Sequence, residues 1–336
     1  MDVGYAISSE EHRPLDLVCY ARRAEECGFP FALISDHYHP WIDRQGQSPF
    51  VWAVIGGIAD ATDSLRLGTG VTCPTIRMHP ALVAQAAATA ADMLPGRFFL
   101  GVGTGENLNE HILGDRWPSA SERLEMLEEA VEVMRLLWRG EVTTFEGKHF
   151  RVEDARVYTL PDDPLEVVVA AAAPGAAELA ARIGDGVVST APDRELVDTF
   201  LRAGGEGPRY GQLTVCWAQT EEEARRTAYE LWPTAALEGP LTQELPLPSH
   251  FEEAAGMVSE DDVAERVVCG PDVARHIDGI KELADAGFDH VYVHQVGPDQ
   301  DGFFDFYTRE VLPETAGIQP RQGVAQGARL SARDAR

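Results

Sequence analysis

Short apolar runs of strand type alternate with longer stretches of helical periodicity along most of the chain. Residues 3–7 form the first such run, and 15–27 follow with apolar positions on one helical face, closed by Gly28. The unit recurs: 31–35 before 50–61, 65–69 before 81–93, and 97–102 before 121–138. Past a predicted hairpin at 142–152 come a run at 165–171, a helix from Pro174, and runs at 186–190, 213–217 and 289–294. Roughly eight strands in β/α alternation predict an α/β fold, one closed (β/α)8 TIM-like barrel rather than an open doubly wound sheet.

That barrel is expected to occupy residues 1–316 as a single domain. Near 231–248 the chain carries Pro233, Pro240, Pro246 and Pro248 among apolar residues. So many prolines break a regular helix, so the segment reads as an insertion or lid. Residues 317–336 are polar and rich in Gly, Ala and Arg, and are expected to be a disordered tail.

Composition narrows the partners. With 336 residues and 44% hydrophobic positions there is enough apolar mass for a full core. The 28 Lys+Arg against 55 Asp+Glu leave a formal charge of -27, which repels nucleic acid and anionic membrane surfaces. Lys148 and Lys281 are the only lysines, so the acidic excess is equally the mark of an Arg-biased or salt-adapted composition. Five cysteines, an odd number without C-x-x-C spacing, argue against a disulfide framework and a thiolate metal site and fit a reducing cytoplasm. No H-E-x-x-H motif is present, and no metal is expected. No basic leader precedes the first strand, and no apolar run approaches the roughly 20 residues that cross a bilayer, so neither secretion nor membrane insertion is expected.

In a parallel barrel the loops at the carboxyl ends of the strands build the active site. After the second strand comes Ser35-Asp36-His37-Tyr38-His39-Pro40-Trp41, a carboxylate, two imidazoles and a large aromatic within one turn. His37 is suited to acid or base work near neutral pH. After the fourth strand comes Gly101-Val102-Gly103-Thr104-Gly105-Glu106-Asn107-Leu108-Asn109-Glu110, whose glycines let backbone approach a flat ligand beside Glu106. Taken singly, Asp36 reads equally as a loop cap and His37 as a satisfied surface histidine; their joint placement at strand ends favours function. Ala170 to Ala176, small residues leading into a helix, fit either close helix–strand packing or an anion cradle.

Together and in this order, Asp36-His37-x-x-x-Trp41 and Gly103-Thr104-Gly105-Glu106-x-x-Asn109-Glu110 resemble the F420-dependent glucose-6-phosphate dehydrogenase group of the luciferase-like oxidoreductase superfamily, over residues 3–313. The resemblance implies a cytoplasmic homodimer that binds coenzyme F420, or alternatively FMN, and exchanges hydride with a small alcohol, sugar or related molecule. It implies that Asp36 and Asn109 bind the deazaflavin, while His37, Trp41 and Glu106 surround the reacting carbon. It also implies a non-prolyl cis peptide at Gly70-Val71 and a phosphate cradle at Ala172, Ala173, Gly175 and Ala176, where the group's paired glycines are alanines. Cys73 stands in place of a cofactor-binding threonine, and a thiol is a weaker hydrogen-bond partner.

On the substrate side the resemblance implies Thr190 and an arginine at Arg266. The group's two phosphate-binding lysines correspond to Asp193 or Arg194 and to Thr242. Losing two charge-assisted contacts weakens phosphate binding by about 3 to 6 kcal/mol, which disfavours glucose 6-phosphate itself. His37 is the expected base and Glu106 the partner on the cofactor side, or the reverse. The rival readings are an FMN-dependent monooxygenase on the same barrel, a hydrolase using Asp36 and Glu106 as paired carboxylates, and a non-catalytic deazaflavin-binding protein.

Overall fold

The first strand, β1 (Asp2–Ile7), turns Val3, Tyr5 and Ile7 to one side and Gly4 and Ala6 to the other, the two-residue period of a pleated strand. Helix α1 (Pro14–Glu26) opens on a proline, whose missing N–H lies where a helix has no acceptor for it, and buries Leu17, Ala21 and Ala24. Gly28, at φ 87°, supplies the left-handed turn into the next strand. The computed structural model describes residues 1–237 and 239–321, and in them this unit repeats.

β2 (Phe31–Ile34) leads to α2 (Val51–Ala61), β3 (Arg66–Thr69) to α3 (Pro80–Met93), and β4 (Phe98–Val102) to the short α4 (Asn107–Glu110) and long α5 (Ala120–Leu137). A hairpin of β5 (Thr143–Glu146) and β6 (Arg151–Ala155) precedes β7 (Glu166–Ala170), α6 (Pro174–Ile183), β8 (Gly186–Ser189), α7 (Arg194–Arg202), β9 (Arg209–Cys216) and α8 (Glu221–Leu231). Three short helices follow, α9 (Leu241–Glu244), α10 (Pro248–Ala255) and α11 (Glu260–Ala264). The two-residue β10 (Val268–Cys269), α12 (Val273–Ala286), β11 (His290–Gln295), α13 (Gln300–Phe306) and α14 (Leu312–Thr315) complete the order.

Eight strands pair in parallel and close on themselves in the order β1-β2-β3-β4-β7-β8-β9-β11, with β10 added at the edge of β9. The expected single barrel is therefore present. Its outward residues pack on the helices in one large core, whereas Ala6, Phe31, Leu33, Phe99, Val168, Ala170, Val188, Tyr210 and Tyr292 fill the inside. Tyr210 stacks on Phe99 at 5.2 Å, so the barrel axis is occupied rather than open.

Four expectations need correction. β9 begins at Arg209, four residues before the apolar run suggested, because Tyr210 and Gln212 face the barrel interior and break that run. The second hairpin strand runs on to Ala155. β10 was not foreseen. The insertion is a string of short helical pieces reaching Ala264, in which Pro233 and Pro248 occupy first-turn positions that tolerate proline. At the chain's end, Arg321 donates its backbone N–H to Ala284 O, and residues 322–336 of the expected tail lie outside the described residues. Among the described residues no helix is long and apolar enough to cross a membrane.

Candidate active site

Carrying the strand period one pleat above the interior layer assigns the floor of the barrel mouth. On β4 and β7 this gives Gly101, Gly103 and Ala172, an arc of small residues above Ala170. A Cβ added at Gly101 would lie 1.9 Å from Thr69 O, and one at Gly103 would lie 2.7 Å from Val71 Cγ2, so no larger side chain fits there. On β8, β9, β11, β1 and β2 the same step gives Thr190, Gln212, His294, Ser8 and Ser35, a polar arc.

Glu10, just past β1, stands over that polar arc and is buried. Its carboxylate accepts from Ser35 Oγ at 2.7 Å and Ser8 Oγ at 3.0 Å, and its other oxygen lies 3.4 Å from His37 Nδ1. That is ion-pair distance without hydrogen-bond alignment, and the buried His37 Nδ1 has no hydrogen-bond partner. The Trp41 ring lies 5.1 Å from the His37 ring, and Phe251 of α10 meets Trp41 edge-on at 5.2 Å. Gln45 fixes the turn by accepting from Trp41 N at 2.8 Å and donating to Leu231 O at 3.0 Å.

Arg77 and Asn109 join the two motif loops. Arg77 donates to Asp36 Oδ1 at 2.9 Å and, through its backbone N–H, to Glu110 Oε2 at 2.7 Å, while Thr72 Oγ1 donates to Asp36 Oδ2 at 2.8 Å. Asn109 Oδ1 accepts from the N–H groups of Tyr38 and His39 at 2.9 and 3.2 Å, and Nδ2 donates to Glu106 Oε2 at 3.3 Å. Glu106 is thus held next to the loop that bears His37 and Trp41. Burial pushes the Glu110 carboxyl up to about 7 despite the opposing charge of Arg77. Both Asp36 oxygens are occupied within the protein, which corrects the reading of Asp36 and Glu106 as an open hydrolytic carboxylate pair.

The Gly70-Val71 peptide is cis. Cys73 is buried with Sγ 3.1 Å from Thr75 Oγ1, and burial raises its thiol well above its usual range. Helix α6 begins without a side-chain cap, residues 172–175 are exposed, and a Cβ at Gly175 would meet nothing within 4 Å. Ala176 N–H donates to Ala173 O at 3.1 Å, and the remaining start of the helix is open to solvent, as a phosphate cradle requires.

The substrate candidates are not brought together. Thr190 is exposed at the end of β8. Asp193 caps α7 by accepting from Leu196 N, and Arg194 turns to the outer helices, donating to Asp285 O at 3.0 Å. Thr242 lies half-buried in α9, and Arg266 is exposed and engaged beyond α11. Glu10, Arg77, Gln212, Thr214, His294 and its partner Glu11 were missed. The pleat count from Ala6 through Ser8 would have found Glu10; Arg77 carries no local signal. His290 and His294 sit two pleats apart on β11, and among the described residues no group of three or more His, Cys, Asp or Glu could hold a metal.

The luciferase-like monooxygenase family model matches residues 1–290. The F420-dependent glucose-6-phosphate dehydrogenase of Intrasporangium calvum is 38% identical over 334 residues, covering 95% of this chain and all of that protein. The F420-dependent hydroxymycolic acid dehydrogenase of Mycobacterium tuberculosis is also 38% identical, over 93% of this chain and 88% of its own. An F420-dependent secondary alcohol dehydrogenase, solved with an F420-acetone adduct, superposes with a TM-score of 0.86 at 30% identity, over 93% of this chain and 98% of its own. The chain belongs to the luciferase-like family, within its F420-dependent glucose-6-phosphate dehydrogenase-like group.

Proposed function

We propose that this chain is an F420-dependent oxidoreductase that exchanges hydride with a small alcohol, sugar or related substrate at the barrel mouth. The observation that carries this reading is the approach of His37 to Glu10 at 3.4 Å past β1 and β2, at the same barrel mouth as Gly101, Gly103, Ala170 and Ala172 on β4 and β7. Gly101 and Gly103 let Thr69 and Val71 pack closely at the floor of the mouth, and the amides of Ala173 and Gly175 at the start of α6 would receive the cofactor's phosphate, with Ala176 beside them donating its N–H to Ala173 O. When bound, F420 supplies a ring carbon that takes or gives the hydride.

The chain's own residues supply the proton handling. His37 takes the substrate hydroxyl proton as the alcohol is oxidised, and the Glu10 carboxylate beside Nδ1 stabilises the resulting imidazolium. Trp41 and Phe251 keep water from the reacting carbon. Glu106, oriented by Asn109, holds the proton on the cofactor side. Asp36 and Asn109 act mainly by fixing the loop through Arg77, Thr72 and backbone contacts, with Val71 and Cys73 behind the ring. A cytoplasmic homodimer completes the reading, and sedimentation equilibrium gives its subunit count.

Titrating the purified protein with F420 and with FMN, then adding secondary alcohols, tests the proposal. Binding of F420 followed by loss of its visible absorbance is the expected result. Binding of FMN alone with oxygen-dependent turnover would instead make it a monooxygenase, and F420 binding without reduction by any substrate would make it a carrier.

A further inference from the structure

We propose that Gln212 and Thr214, backed by the buried His294–Glu11 pair, form the substrate-reading face of the mouth and select an uncharged hydroxylated substrate over a phosphorylated or carboxylated one. The inference rests on the oxidoreductase reading above and adds the residues that recognise the substrate and the class they admit.

Orientation comes first. On β9, Leu213 and Val215 belong to the outer core and Tyr210 to the interior layer, so Gln212 and Thr214 face inward above Tyr210. On β11, Val291 and Val293 face the helices and Tyr292 the interior, which puts His294 inward one pleat higher. The barrel order β9-β11-β1-β2 then makes a continuous polar face from Gln212 through His294 to Glu10 and His37.

The β9 part of that face is neutral, and the carboxylates beyond it oppose an anion. Gln212 Nε2 donates to Thr214 Oγ1 at 3.1 Å, leaving the amide oxygen and the hydroxyl proton for other partners. His294 Nε2 lies 3.3 Å from Glu11 Oε2, and Glu11 Oε1 accepts from Gly297 N at 3.0 Å. Burial alone would raise the Glu11 carboxyl, but the hydrogen bond and charge of His294 outweigh it and hold it below the usual range. The carboxylate therefore balances any positive charge on His294. Trp232 from the insertion covers the pair, its ring 4.5 Å from that of His294.

Among the described residues the arginines around the mouth are engaged within the protein, as is Arg266 beyond α11. Arg77 lies between Asp36 and Glu110, Arg123 binds Pro118 O and Gln243, Arg194 binds Asp285 O, and Arg44 pairs with Glu230. A phosphate or carboxylate entering the mouth would face Glu10, Glu11 and Glu106. Substrate hydroxyls, in contrast, can be read by the Gln212 amide and the Thr214 hydroxyl, and such a site rejects analogues that leave its polar groups unpaired.

The test compares 2-propanol, cyclohexanol and glucose with glucose 6-phosphate in the F420-loaded enzyme, for wild type, Q212L/T214V and Q212K. Wild type should favour a neutral substrate by at least about 100-fold in kcat/KM. In Q212L/T214V the KM for that substrate should rise about tenfold or more while F420 affinity, which reports an intact fold, stays constant. Q212K should gain activity on glucose 6-phosphate. A wild-type preference for the sugar phosphate, or an unchanged KM in the double variant, overturns the proposal while leaving the oxidoreductase reading standing. Failure of wild type to bind F420 is a different signature and removes both.

Discussion

With Glu10 3.4 Å from a buried Nδ1 that has no hydrogen-bond partner, and the Trp41 ring 5.1 Å away, His37 keeps Nε2 for a substrate hydroxyl. Replacing it by alanine should lower kcat by about 10² to 10⁴ fold with F420 affinity little changed, read by steady-state kinetics and a binding titration. Near-normal turnover would remove His37 as the proton carrier. A second residue-scale consequence concerns Glu110, whose folded pKa of about 7 lies above its ordinary value. The native state then holds a proton that the unfolded chain releases, so stability falls as pH rises from about 4.5 to 7. E110Q keeps an acceptor for Arg77 N–H, and its unfolding midpoint should vary less over that window; identical slopes in the two proteins would refute the assignment. His37 and Trp41 were legible because polar and aromatic residues cluster after a strand. Glu10 is marked only by the pleat count through Ala6 and Ser8, since its other partners Ser35 and His37 are more than 20 residues distant.

Among the elements, helices announced themselves by buried stripes such as Leu17, Ala21 and Ala24, but strand β9 hid its first half. A barrel strand shows one face to the helices and the other to a lumen that turns polar at the top, so Tyr210 and Gln212 do not extend an apolar run. Helix α6 illustrates the opposite case, in which Ala170 to Ala176 read equally as packing or cradle, and the helix begins with an uncapped, exposed first turn. Gly175 separates stability from binding there, because a side chain at that site meets nothing within 4 Å. G175D places a carboxylate in the first helical turn, which favours the helix dipole and should leave the melting temperature unchanged or slightly higher. The same charge repels the cofactor's phosphate, so F420 should bind at least about tenfold more weakly, a loss of roughly 1.4 kcal/mol. Equal affinity in the variant would show that the phosphate lies elsewhere.

For the molecule as a whole, the eightfold alternation made the barrel readable, since each strand buries an outer face and each helix a single stripe. The insertion was readable only as a departure from that rhythm, because its short helices are stabilised by what they touch more than by their own sequence. A buried arginine contributes to its attachment. Arg123 of α5, buried and stacked on Trp117 at 4.1 Å, donates to Pro118 O at 2.7 Å and to Gln243 at 3.1 Å, with Glu244 at 3.5 Å. Arg123 thus ties α5 to α9, beside the bonds from Asn107 to Glu244 O and from Asp43 N to Glu252, while Phe251 and Trp232 of the same insertion wall the mouth. Arg123→Met keeps much of the side-chain volume but removes hydrogen bonds from a charged donor, a loss of roughly 3 kcal/mol. Amide hydrogen exchange should therefore accelerate at residues 241–245 far more than in β1 or β4, and substrate KM should rise as Phe251 and Trp232 lose their backing. If exchange in the insertion is unchanged while the barrel loosens, Arg123 supports the barrel itself and the mouth depends on other contacts.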